Sequence, residues 1–385
     1  MNAGLASAAP VTSCKTGSEK MDLGIRVASP VFDYYQFAAQ GKAKEAESAY
    51  QSLHGLLFDE IGENNECFEA ASTGYIRAVF IRYFPGNVSI FNRKYNKKSG
   101  GMDSFANEMA IFNALEGRRV FAPLTNTKRN ELGAIWSQVD SNTGEYAITG
   151  GYDCASLRIY YDPHLRPFDL LTTLYHEIDH LYRDRTLRKM PTQYEGDWAA
   201  YNFADEVQAI GTSSSVYLGL ALAKNYRGPD DFSFFSKTGP VTLFARQDPN
   251  YTDQIAEDLV EGTHGTPELV RNFYSSIWSG YFPEQTLPEN YPKVDKSLPT
   301  IRRLVWDPEQ FAESGDGIVL KQTDTGLEHG ALDGLVADIF SNPGLSRVCQ
   351  AHIDSIKLNP ADHYLGTNLS SQSVVHPCLN FHGKL

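Results

Sequence analysis

Two histidines that frame a glutamate are the first group of residues in this chain with a recognisable chemistry. His176, Glu177 and His180 lie inside the segment Leu170–Asp184, whose apolar pattern is helical. Residues four apart lie on one face of a helix, so both imidazoles can point at the same position in space. Glu177 lies beside that position. Two nitrogen ligands next to a carboxylate suit a water activated by zinc, because the histidines hold the metal and the carboxylate takes the proton.

The H-E-x-x-H spacing is rarely met by accident in a chain with few histidines. There are 10 histidines among 385 residues, and an accidental match is then expected in roughly one or two such chains per hundred. Pro167 and Asp169 suit the first turn of a helix. An apolar stripe away from the histidines predicts a packed helix, and it comprises Leu170, Leu171, Leu174, Ile178 and Leu181. The alternative is a buried helix whose histidines only satisfy local hydrogen bonds.

A catalytic zinc needs a third protein ligand, and the best candidate is Glu206. It lies 26 positions after His180, in a segment that reads as a second helix over 201–225, bent near Gly211. Glu206 falls within the apolar stripe of that helix, whereas Asp205 is expected to point away from it. A lone carboxylate on an apolar face is costly to bury, and a metal partner would explain it. Pairing with an arginine is the alternative. Weaker ligand candidates are Asp184, Glu195 and Asp197.

The order of elements around the H-E-x-x-H pentad, residues 176–180, resembles that of the zincin metallopeptidases. A short strand over Ser156–Asp162, a turn and then the H-E-x-x-H helix follow one another, as in that family. The resemblance implies that this strand is the sheet edge on which a peptide substrate aligns. Arg183 and Thr186 stand where the metzincins have glycine and histidine, so that subfamily is excluded.

The gluzincins take their third ligand from a second helix, and the likeness to them covers about Ser156 to Gly211. Glu206 is the residue that this pattern selects. Thermolysin-like gluzincins also carry an aspartate four residues later, which orients a ligand histidine. Ile210 stands at that position here, so the carboxylate that orients a histidine must come from elsewhere.

The resemblance implies a zinc metallopeptidase with a small set of acting residues. His176, His180 and Glu206 would bind Zn²⁺, and Glu177 would be the general base. A second donor to the oxyanion is also expected, and the candidates are Tyr201, Tyr217 and His264. The alternatives are a non-catalytic zincin-like binding or scaffold protein, or a zinc amidase that acts on cell-wall peptides.

The remaining pattern predicts an α+β fold with a small mixed or antiparallel sheet packed on the H-E-x-x-H helix. Predicted helices span 31–40, 43–62 and 105–115, and predicted strands span 134–139, 145–149 and 157–161, the last two joined by a Gly-Gly turn. The run 74–83 fits either a strand or a buried helix.

Three parts are expected along the chain. Residues 1–28 read as a disordered leader or the remnant of a signal peptide, and 29–225 as a zincin-like catalytic domain. Residues 226–385 read as a loop-rich, mainly helical C-terminal region.

Composition argues against two classes of partner. The 34 basic and 47 acidic residues give a net charge of −13, which repels nucleic-acid phosphates. No run of 18 or more apolar residues occurs, so no transmembrane helix is expected. A peptide or protein substrate is compatible with this surface.

The cysteines and the N-terminus favour an exported, periplasmic or cell-surface protein. Val11–Cys14 fits a loose lipobox, which would make Cys14 a lipid anchor, although the basic and apolar parts of a signal peptide are missing. The other four cysteines suggest two bridges, Cys349 with Cys378 and Cys67 with Cys154. Four unpaired buried thiols are the alternative.

Overall fold

The fold is a mixed α+β arrangement, as predicted, in which a small three-stranded sheet packs against a long buried helix. The computed structural model describes residues 13–80, 112, 115–132, 150–187, 190–195, 201, 204–205, 208–209, 212–213, 298–299, 322–323, 326–327, 346 and 348–350.

The first helix, α1, spans Gly17–Ala39, so residues 17–28 of the expected disordered leader are helical. Thr16 caps it, since its side chain accepts from the backbone N–H of Glu19 while the Glu19 carboxylate accepts from the N–H of Thr16. This reciprocal cap satisfies two amides that a helix start otherwise leaves without partners. The helix runs through Pro30, so the predicted start at Val31 was too late.

Two further helices, one of which continues into a π-helical turn, complete the described N-terminal part of the fold. Helix α2 spans Ala43–His54 and continues as a π-helical turn over Gly55–Ile61, close to the predicted 43–62. Gly62 ends it with φ of +79°, a conformation that glycine adopts without strain. Residues 68–80 form helix α3, so the run that fitted either structure is helical as far as the structure describes it.

The sheet has the order β1-β3-β2, with β1 at Phe121–Pro123, β2 at Gly150–Asp153 and β3 at Arg158–Tyr161. Strand β1 is parallel to β3, and β2 is antiparallel to it. Strand β3 confirms the prediction for 157–161, but it is the central strand and not the expected edge. Gly150 and Gly151, predicted as a turn, pair with Tyr161 and Tyr160 in the strand β2.

Several predicted elements cannot be compared with the structure. The predicted strands 134–139 and 145–149 lie outside the described residues. Of the predicted helix 105–115, residues 112 and 115 are described and both are helical.

Between β1 and β2, helix α4 spans Asn126–Leu132, and no element was predicted at β1 or α4.

Helix α5 spans Pro167–Thr186 and carries the H-E-x-x-H pentad, as the sequence predicts. Pro167 stands in its first turn, where a missing N–H costs nothing. The apolar residues Leu170, Leu171, Leu174, Ile178 and Leu181 are at most 3% exposed, so the predicted stripe is buried. The helix packs against β2 and β3.

Two disulfides correct the predicted cysteine pairing. Cys14 bonds to Cys67, and Cys154 bonds to Cys349. The Cys14 sulfur is therefore in a disulfide and is not free for the thioether of a lipid anchor. The sequence could not give these pairs because each joins segments that are distant along the chain and adjacent only after folding. Cys378 lies outside the described residues.

Little of the expected C-terminal region is described, and the boundary at 226 lies outside the described residues. Within it, two short strands, β4 at Gln322–Thr323 and β5 at Gly326–Leu327, pair antiparallel. Residues 348–350 are helical and are held to the sheet region by the second disulfide. No helix in the described ranges has the length and apolar content needed to cross a membrane.

Candidate metal centre

The two histidines of α5 converge as the helical spacing predicts. Nε2 of His176 lies 3.0 Å from Nε2 of His180, and the two rings meet edge to face at 75°. Tetrahedral zinc with bonds of about 2.0–2.1 Å would hold two such nitrogens roughly 3.3 Å apart. A few tenths of an ångström of movement would therefore fit an ion between them. At this distance the contact is a hydrogen bond in which one ring donates to the other.

Glu177 lies beside the start of strand β2. It is 6% exposed, and its carboxylate packs so close to Gly150 that a Cβ built on that glycine would lie 3.2 Å from Oε1. Helix α5 and strand β2 thus place the expected base next to a strand that forms one edge of the described sheet.

Asp205 binds the ring nitrogen of His180 that faces away from His176. The distance from Nδ1 to Oδ2 is 2.8 Å. Burial raises the pKa of Asp205, but Arg183 and His180 outweigh it and hold that pKa well below its usual range. An ionised carboxylate only accepts, so Nδ1 of His180 must donate. In the neutral ring, Nε2 of His180 then carries the lone pair on the side of His176. Asp205 was not among the predicted site residues, yet the structure places its carboxylate against His180. Asp205 is thus a carboxylate that can orient the ring of His180, which Ile210, at the position expected for such a carboxylate, cannot do.

Arg183 is buried and connects this carboxylate to the helix. It pairs with Asp205 through Nε and with Asp179 through Nη1 at 2.8 Å. Neither the pairing of Arg183 nor the part of Asp179 was predicted from the sequence. The signal was present, because an aspartate and an arginine four apart on a helix are neighbours.

The structure does not place any of the other predicted ligands beside the two histidines within the residues it describes. Glu206 lies outside the described residues, as does Asp197, and Glu195 is exposed. Both carboxylate oxygens of Asp184 accept hydrogen bonds, one from Tyr152 at 2.8 Å and one from Ser346. Burial raises the pKa of Asp184 to about 6. Asp184 thus binds β2 and the segment around residue 346 to α5.

Within the described part of the chain, no group of three or more histidine, cysteine, aspartate or glutamate side chains is arranged to hold a metal ion. The two histidines alone are in place, and they suit zinc because neutral imidazole is one of its usual ligands. Of the expected oxyanion donors, Tyr217 and His264 lie outside the described residues. Tyr201 packs with Leu298 and Val348 in an apolar cluster.

Comparison with protein-family models, with curated proteins and with solved structures found no match to this chain. Any function assigned to this chain therefore rests on the geometry of these residues.

Proposed function

We propose that this chain is a zinc-dependent hydrolase, and specifically a metallopeptidase of the gluzincin type. One observation carries the proposal: two imidazole Nε2 atoms meet at 3.0 Å on one helix face, and the far nitrogen of one ring is held by a carboxylate. A carboxylate that accepts from the far ring nitrogen is the usual companion of a metal-binding histidine, since it fixes the tautomer and raises the basicity of the ligand nitrogen.

Each residue has a defined task in this proposal. His176 and His180 would hold the ion, and Glu206 would be the third ligand. Glu206 follows Asp205 directly in the chain, and Asp205 already contacts His180, which supports this assignment. When bound, zinc lowers the pKa of a water to about 7 and polarises the substrate carbonyl. Glu177 would take the proton of the attacking water and pass it to the leaving amine.

The sheet supports a zincin-like fold and a peptide substrate. Strand β2 is antiparallel to β3, lies at the edge of the described sheet and begins beside Glu177. An extended peptide that pairs with such an edge would have its backbone carried past the base. The two disulfides support export to an oxidising compartment.

Metal content and hydrolysis together test the proposal. We expect about one zinc per chain by elemental analysis, and loss of zinc in His180→Ala and Glu206→Ala. Glu177→Gln should keep zinc and lower peptide hydrolysis by roughly 10²–10⁴-fold, because it removes only the base. His54→Ala is the matched control, since His54 pairs with His164 in another part of the fold.

The outcomes separate the parts of the proposal. Zinc that survives Glu206→Ala but not His180→Ala would reject Glu206 as a ligand. Hydrolysis that survives Glu177→Gln would reject the base. A wild-type protein that binds no zinc when the metal is supplied would leave the pentad as a structural helix.

A further inference from the structure

Arg183 joins three segments of the chain next to His180, which are helix α5, the helical residues around Asp205 and the segment at Pro299. Its side chain is fully buried. Within α5 it donates to Asp179, and across to the second helical segment it donates to the Asp205 carboxylate and, from Nη2 at 2.9 Å, to the Asp205 carbonyl. A fourth hydrogen bond, 2.9 Å long, reaches the carbonyl of Pro299.

The contacts of Arg183 leave Asp205 little freedom to turn. Oδ1 of Asp205 accepts from Arg183, Oδ2 accepts from His180, and the backbone carbonyl of the same residue accepts from Arg183. Rotation of the carboxylate would break two charged hydrogen bonds at once, and these are the strong class of hydrogen bond. The orientation of the His180 ring is thereby tied to the guanidinium of Arg183.

We propose that Arg183 is a positioning residue of the metal centre, which acts through Asp205 to keep Nε2 of His180 aimed at Nε2 of His176. The inference rests on the proposed zinc site. Loss of an outer partner of a metal-binding histidine typically lowers metal affinity 10–100-fold, and that is the effect expected when Arg183 is replaced.

Lysine cannot take over this task. The planar guanidinium donates from three nitrogens in a fixed geometry, and here Nε, Nη1 and Nη2 all have acceptors. A single ammonium keeps the charge but cannot reach Asp179, both acceptors of Asp205 and the Pro299 carbonyl together. Arg183→Lys therefore tests geometry with the buried charge retained.

A double-mutant cycle on zinc affinity distinguishes positioning from a general structural role. Zinc dissociation constants would be measured by competition with a chromophoric chelator for the wild type, Arg183→Lys, Asp205→Asn and the double variant. We expect a loss of at least 10-fold in each single variant and no further loss in the double variant, because Arg183 acts through Asp205. Losses that multiply, or a wild-type dissociation constant in folded Arg183→Lys, would overturn the proposal.

Arg129→Lys is the matched control. Arg129 is 1% exposed and pairs with Asp162 at 3.0 Å, so the change disturbs a buried arginine–aspartate pair of the same kind. Its zinc affinity should stay within about twofold of the wild type. A loss equal to that of Arg183→Lys would show that any disturbed buried arginine has this effect.

A variant with balanced charge covers the case in which Arg183→Lys does not fold. The double variant Asp179→Asn, Arg183→Met removes one negative and one positive charge together. Replacement of a buried ion pair by neutral side chains is often tolerated. The same loss of zinc affinity is expected.

A measurement without metal keeps this inference separable from the proposed function. Long-range ¹⁵N–¹H NMR of the imidazoles reports which nitrogen of His180 carries the proton. The wild type should show a hydrogen-bonded Nδ1–H at His180, and Arg183→Lys should show a mixture of tautomers. A wild type that binds no zinc would reject the metal centre, whereas an unchanged His180 tautomer in Arg183→Lys would reject the role of Arg183.

Discussion

Gly150 lies against Glu177 with no room for a side chain. A Cβ at Gly150 would lie 3.2 Å from Oε1 of Glu177 and 2.5 Å from Cγ2 of Thr173. The first distance is tight and the second is shorter than atoms allow, so β2 and α5 can pack this closely only because residue 150 is glycine.

Gly150→Ala should therefore displace the Glu177 carboxylate. We expect hydrolysis to fall by at least 10-fold while zinc content is unchanged, and overpacking to cost about 1–3 kcal/mol of unfolding free energy. Peptide hydrolysis, elemental analysis and urea unfolding measure the three quantities. Gly117→Ala is the control, since its Cβ would meet nothing within 4 Å. Full activity in Gly150→Ala would mean that Glu177 tolerates movement at β2.

The protonated carboxyl group of Asp184 should stabilise the folded state, and this contribution to the unfolding free energy should be lost as the pH rises from about 4 to about 6. Burial raises its pKa in the folded protein to about 6, above the unfolded value of about 3.9. The folded state then binds more protons in this window, and the loss from this group amounts to roughly 2–3 kcal/mol.

Asp184→Asn should remove that part of the pH dependence. Urea unfolding of both proteins at pH 4.5 and pH 7 provides the comparison. The difference in unfolding free energy between the two pH values should change by roughly 2 kcal/mol in the variant. Identical pH dependence in both proteins would show that Asp184 is not responsible.

The disulfide pairing can be checked directly. Peptide mapping of the unreduced protein should recover one peptide pair joined by Cys14–Cys67 and another joined by Cys154–Cys349. A Cys14 peptide that carries a lipid thioether would contradict the first bond and restore the lipid-anchor hypothesis.

Removal of the two bonds should destabilise the protein to different degrees. The Cys154–Cys349 bond closes 195 positions and the Cys14–Cys67 bond closes 53. Chain entropy then gives about 5 kcal/mol for the first bond and about 4 kcal/mol for the second, as upper values. Paired cysteine-to-serine variants would be compared by urea unfolding. A larger loss from the Cys14–Cys67 pair would contradict the entropic ranking.

The sequence predicted features that depend on one continuous segment. Helix α5 was predictable because its stripe, its first-turn proline and its histidine spacing all lie within 20 residues. Strand β2 was missed because Gly150 and Gly151 have the composition of a turn, and only pairing with β3 makes them a strand. The start of α1 was readable in Thr16 and Glu19, whose spacing is that of a capping box.

The candidate site likewise combines residues that one segment predicts with a residue that it does not. His176 and His180 share a helix, so their convergence followed from the spacing. Asp205 meets His180 from 25 positions away. The apolar stripe of its helix directed attention to Glu206, and no local pattern indicated that Asp205 would contact His180. A contact between two helices depends on how they pack, which no single segment specifies.

The Cys154–Cys349 bond encloses helix α5 and Asp205 within one covalent ring. A single cut of the backbone inside that ring leaves the two pieces joined, at an effective concentration set by the tether and not by dilution. A protein cleaved once within that ring would separate into two fragments only after the disulfide is reduced. It would keep both histidines, and Asp205 with its contact to His180, in one molecule.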